Sequence, residues 1–112
     1  VLTLSALRWG KPYKSLEAQE VVHFDTGEPI AKIGNVNGGM VQLDMKHAPR
    51  ARAVLRAIAP SVLLESCKKA AELFETADLP VGDGVQSVND FIHQQSASTG
   101  LPEHMCRSNM KK

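Results

Sequence analysis

The sequence predicts an α+β fold: an N-terminal arm and a β-hairpin followed by three to four packed α-helices. Three observations predict it. Residues 61–77, SVLLESCKKAAELFETA, place Leu63, Cys67, Ala70, Ala71 and Phe74 at helical spacing along one face. Glu65, Lys68, Lys69, Glu72 and Glu75 lie mainly on the other face, so this central helix is amphipathic. Residues 20–33 hold two short β-rich runs about a turn, and helical periodicity recurs between Pro and Gly breaks from residue 46 onward. The expected divisions are an extended arm over residues 1–19, a hairpin and loop over 20–45, and a helical segment over 46–112. Together they form one domain or part of one.

In the arm, a short apolar stretch precedes Arg8-Trp9-Gly10-Lys11-Pro12-Tyr13. Gly10 and Pro12 argue against regular structure there, and Trp9 and Tyr13 would pin the arm by burying their rings. Glu20-Val21-Val22-His23-Phe24 is the first strand, rich in β-branched and aromatic residues. Asp25-Thr26-Gly27-Glu28 turns the chain, with Gly27 free to take a positive φ. Pro29-Ile30-Ala31-Lys32-Ile33 returns, and Pro is tolerated at a strand's first residue. A lone hairpin is marginal in water, so this one must pack on helices or join a larger sheet.

Gly34-Asn35-Val36-Asn37-Gly38-Gly39 is a loop by composition, without the spacing of a phosphate cradle or a dinucleotide turn. Met40-Val41-Gln42-Leu43 fits either a short strand or a turn of helix. A helix over residues 48–59 carries Ala48, Ala51, Leu55 and Ile58 as its apolar stripe, with Val54 beside them and Pro49 in its first turn. Pro60 ends it, and Ser61 caps the central helix. Asp83 with Gln86 forms a possible capping box for a third helix running to residue 95 or 96. A fourth helix opens at Thr99 or Pro102 and carries Met105, Cys106 and Met110.

Composition narrows the function classes. Thirteen basic and twelve acidic side chains leave a formal charge of +1, which suggests neither nucleic acid nor an acidic membrane surface as partner. Arg50, Arg52 and Arg56, with Lys68 and Lys69 further on, read as a solvated helix face. The hydrophobic share of 43% supports a modest core. An aromatic share of 4% leaves Phe24, Phe74, Phe91, Trp9 and Tyr13 as its large anchors. No apolar run approaches the ~20 residues of a membrane span. Cys67 and Cys106 make no disulfide framework and read as free thiols in a reducing compartment, so the expected location is cytoplasmic.

No residue pattern here defines an active site: no catalytic, cofactor-binding or metal-binding residue is assigned. Cys67 has no base at a spacing that would depress its pKa, and it reads as a buried structural cysteine. His104 precedes Cys106 by two positions, which do not face each other on a helix. His23, His47, His93 and His104 show no metal-site spacing. Glu17 with Glu20, and Glu72 with Glu75, read as solvent-facing pairs rather than a general acid and base.

The order of features carries a resemblance. The strand, then Thr26-Gly27-Glu28, then Ile30-Ala31-Lys32-Ile33, then Ala51-Arg52-Ala53-Val54-Leu55-Arg56-Ala57-Ile58 on a helix resembles the amino-terminal part of the aldehyde dehydrogenase superfamily. The family's Asn-Pro-x-Thr-Gly-Glu is matched in Thr26-Gly27-Glu28, while His23 and Phe24 stand at the Asn-Pro positions. The tail, Gln95-Ser96-Ala97-Ser98-Thr99-Gly100-Leu101-Pro102-Glu103 and then Arg107-Ser108-Asn109-Met110, is similar to the acyl-CoA-reductase-like branch. The resemblance covers most of residues 9–112 and is most specific in the strand–turn–strand.

The resemblance implies that the chain is an incomplete part of a larger α/β enzyme, the non-catalytic lead-in of an NAD(P)-dependent oxidoreductase. Such a lead-in braces the cofactor domain and the subunit contacts. Its partners are then the rest of the parent enzyme or a homo-oligomer partner. NAD(P) belongs to the parent and not to this chain, and neither Cys67 nor Cys106 stands in the family's nucleophile context. The competing expectation is a self-contained α-rich protein-interaction module without enzymatic activity.

Overall fold

The apolar N-terminus is drawn into a sheet, not left as an arm. In the computed structural model, which describes residues 1–112, strand β1 (Leu2–Leu4) is followed by β2 (Ala6–Arg8) and β3 (Lys11–Tyr13). Strand β4 (Ala18–Val22) and β5 (Pro29–Gly34) come next. β5 is the central strand of a three-stranded sheet: β1 runs parallel to it with Leu2 opposite Ala31, and β4 runs antiparallel with Val21 opposite Ala31. A register shift between Val21 and Val22 bends the end of β4. The expected hairpin is therefore present, with β1 of the N-terminal segment as a third strand.

The expectation of irregular structure around Gly10 and Pro12 is corrected as well. β2 and β3 pair antiparallel, Arg8 opposite Lys11, with Trp9-Gly10 as a two-residue turn. Both turn residues have positive φ, 54° at Trp9 and 75° at Gly10. Such turns match the right-handed twist of the strands. Pro12 sits in β3, an edge position where its missing N–H is harmless.

Five helices follow. Helix α1 (Gly38–Met45) settles the Met40–Leu43 ambiguity in favour of helix; Asn37 Oδ1 caps it by accepting from Met40 N at 2.9 Å. Helix α2 (Ala48–Arg56) carries Pro49 in its first turn and stops short of the expected end. Helix α3 (Pro60–Thr76) is the central helix, about 25 Å long. Its cap position is Ala59 and not Ser61, with Pro60 as the first helical residue, where a missing N–H costs nothing.

The third predicted helix start is wrong by four residues, the cap being Ser87 and not Asp83. Asp83 lies in the turn of a hairpin, β6 (Leu79–Val81) and β7 (Gly84–Gln86), because Gly82 at φ 59° closes a reversal that a helix start would forbid. Helix α4 (Val88–Thr99) begins after Ser87, in a true capping box with Asp90. Ser87 Oγ accepts from Asp90 N at 3.1 Å, and Asp90 Oδ2 accepts from Ser87 N at 2.9 Å. Gly100, left-handed at φ 79°, ends α4; helix α5 (Glu103–Asn109) completes the chain's elements.

The core sits where α4 crosses the sheet and meets α5. Ile92 (1% exposed) and Ala97 of α4, Cys106 of α5 and Ala31 of β5 are the buried residues. Phe24 N donates to Ala97 O at 2.8 Å, which ties the end of β4 to α4. Phe74 and Phe91 meet edge-to-face at 4.9 Å and hold α3 against α4. Of the five aromatics expected as anchors, Tyr13 and Phe91 are half-buried, while Trp9, Phe24 and Phe74 remain exposed.

Outside that centre no residue is buried. No residue of α1, α2 or α3 is buried. The radius of gyration is 16.8 Å, against about 13 Å for a compact domain of this length. The accessible surface is 8645 Å² for 12.2 kDa, about 2,500 Å² above the folded-monomer trend.

Candidate functional site

The residues weighed as chemistry are scattered, and the fold brings none of them together as a catalytic set. Cys67 is exposed on α3, which corrects the expectation of a buried cysteine there. Cys106 is the buried thiol, within 3.8 Å of Leu101 O. Its burial follows from α5 packing on α4, a contact that helical spacing alone could not reveal.

The histidines do structural work apart from one another. His23 Nδ1 accepts from Asp25 N at 3.2 Å, so it organises the β4–β5 turn. His93 Nδ1 lies 3.1 Å from Glu103 Oε1, bridging α4 to α5 beside the bond from Arg107 Nη2 to Asn89 Oδ1 at 2.9 Å. His47 meets the Trp9 ring edge-on at 5.6 Å. Glu20 pairs with Lys32 across the β4–β5 ladder at 3.6 Å, both half-exposed. The chain holds no cluster of three His, Cys, Asp or Glu side chains suited to a metal ion.

One place does concentrate unusual features, and it lies where β2–β3 meets α1 and α2. Arg8 donates through Nε and Nη2 to the two oxygens of Asp44, at 2.8 and 2.7 Å. This paired geometry is the strong form of an ion pair. Trp9 Nε1 adds a third bond to Asp44 at 3.3 Å. The Arg8 guanidinium also sits 5.1 Å over the Tyr13 ring. The hydrogen bond from Arg8, then that from Trp9, holds the Asp44 carboxyl below its ordinary range against the opposing effect of desolvation. The same bond raises Arg8 further above its ordinary value.

This cluster fixes the Trp9 indole over α2. Trp9, Ala51, Val54, Leu55 and Ile58 line an open groove of about 720 Å³, with His47 and Arg50 at its border. Val54 is 60% and Leu55 56% exposed, so the groove has no cover within the chain. Sequence reading found the α2 stripe but missed the Arg8–Asp44 pair and the turn beneath Trp9. The usable signal was Trp9-Gly10 between two short alternating runs.

The chain matches no protein-family model, no curated protein and no solved structure. No helix is long and apolar enough to cross a membrane.

Proposed function

We propose that this chain is the non-catalytic amino-terminal portion of an NAD(P)-dependent, aldehyde-dehydrogenase-like oxidoreductase of the cytoplasm. It braces the cofactor domain and the subunit contacts of that enzyme and holds no cofactor itself. The observation that carries the docking role is the surplus of about 2,500 Å² of accessible surface over a folded monomer of this mass. That surplus is of the size an obligate interface removes from water. Two whole helices, α2 and α3, contribute to it without burying a residue. The oxidoreductase assignment rests on the Thr26-Gly27-Glu28 turn between paired strands and the Ala51–Ile58 run, through the family resemblance.

In this reading the strand β4 edge and the outer faces of α2 and α3 meet the nucleotide-binding domain or a second subunit. The chemistry, a hydride passed from an aldehyde-derived adduct to NAD(P), belongs to residues elsewhere in the parent. The groove beneath Trp9 favours a second reading, a protein-interaction module that works without a catalytic partner domain.

The coding sequence beyond Lys112 tests the choice. A reading frame continuing into a Gly-rich strand–turn–helix and a cysteine nucleophile, whose product reduces NAD(P) with an aldehyde, is the expected result. A stop codon directly after Lys112 would overturn the oxidoreductase reading in favour of the module.

A further inference from the structure

Helix α2 pairs an apolar stripe with positive charge that nothing in the chain neutralises. Ala51, Val54 and Leu55 follow the i, i+3, i+4 spacing of a helix-packing seam, and Ile58 extends the apolar surface from the turn just past the helix end. Arg50 lines the groove itself, Arg52 lies across the stripe from it by helical rotation, and Arg56 faces a separate depression on the far side of the helix. Helix α2 contains no acidic residue, and none of the three arginines forms an ion pair. Asp44, the one acid of α1, is committed to Arg8 and Trp9. Trp9 holds a left-handed φ of 54°, a conformation costly for a bulky residue, with its ring placed at the rim of the groove.

We infer that the α2 groove docks an acidic amphipathic α-helix of a partner polypeptide. The inference deepens the docking role proposed above, and rests on it, by naming the chemistry of what covers α2. The seam spacing asks for another helix, because side chains at these positions form the ridge that fits a facing helix's groove. Arg50 at the groove, with Arg52 across the stripe, asks for carboxylates along the edges of that helix, as charges beside a coiled-coil seam set partner choice. Exposed Trp and Arg around an apolar centre are also the residue types that dominate binding energy. A second copy of this chain offers no equivalent: its longest helix, α3, mixes Lys68 and Lys69 with Glu65, Glu72 and Glu75.

Trp9 is the sole tryptophan, so its emission reports on the groove directly. The probe is a synthetic helical peptide of about 14 residues, long enough to hold a helix on a surface. It carries Leu at i, i+3, i+4 and i+7 with Glu on both flanks, and its counterpart has Lys at the flanks. The Glu peptide should shift Trp9 emission to the blue, saturably, and the Lys peptide should bind at least about tenfold more weakly at low salt. Arg50→Glu with Arg52→Glu should invert that preference, and Val54→Asp should abolish binding with the helical circular dichroism unchanged.

Equal binding of the two peptides, or silence of Trp9 with both, would overturn the inference. So would a blue shift that grows with protein concentration in the absence of peptide and is lost in Val54→Asp, because it would give the groove to a second copy. None of these outcomes touches the coding sequence beyond Lys112, so this inference and the oxidoreductase reading fail separately.

Discussion

Thr3 and Asp83, separated by 80 positions, hold each other through two hydrogen bonds. Thr3 N donates to Asp83 Oδ1 at 3.0 Å, and Asp83 N donates to Thr3 O at 3.2 Å. The β6–β7 turn thereby covers the free edge of β1, which would otherwise present unpaired backbone groups. The bond from Thr3 is the main reason the Asp83 carboxyl is held below its ordinary value of 3.8, desolvation opposing it. A depressed carboxylate contributes stability that is fully present above its unfolded value and lost as pH falls through the folded one. The Thr3 amide proton shift should therefore titrate with a midpoint below 3.8, and this titration should vanish in Asp83→Asn.

Gly82 is the companion of that contact. Its φ is 59°, and a Cβ there would overlap the Thr3 carbonyl, which is backbone and cannot swing away. Gly82→Ala should cost more than about 2 kcal/mol in urea unfolding, combining left-handed strain with the clash. Gly38, at the start of α1 with open space around it, is the control. Gly38→Ala should be neutral or stabilising by up to about 1 kcal/mol.

Helix α4 carries half of the buried residues, Ile92 and Ala97, so its cap has leverage. Ser87→Ala removes the acceptor for Asp90 N and should destabilise the fold by about 1 kcal/mol. Ser87→Asp should recover most of that loss, because a carboxylate also caps. Thermal unfolding of the three proteins compares them.

The two thiols should separate cleanly under a thiol-reactive dye. Cys67 is exposed and Cys106 is fully buried. One equivalent should react at once in native protein, and the second only as the α4–α5 contact opens. Cys67→Ser should remove the fast phase alone. Two fast equivalents would show that α5 does not stay on α4.

The central helix, the β4–β5 pair and the α2 stripe were legible because each is written in local periodicity. What was not legible depends on distant residues. Leu2–Leu4 is too short to announce a strand; it becomes one because β5 offers an edge and Asp83 offers a cap. Asp83 with Gln86 imitates a capping box, and only Gly82's turn against Thr3 makes the segment a hairpin. Cys67 lies on the apolar face of α3 by spacing, yet is exposed because no element covers that stretch. The Arg8–Asp44 pair joins residues 36 apart, beyond any spacing rule.

The central claim is that α2 and α3 present faces made to be covered by another body. Urea unfolding of the 112-residue chain, with sedimentation at several protein concentrations, tests it most directly. The account predicts a broad transition, with a slope below about 1 kcal/mol per molar urea, and association that rises with concentration while Trp9 emission stays unchanged. A single sharp transition in a protein that stays monomeric throughout would contradict it.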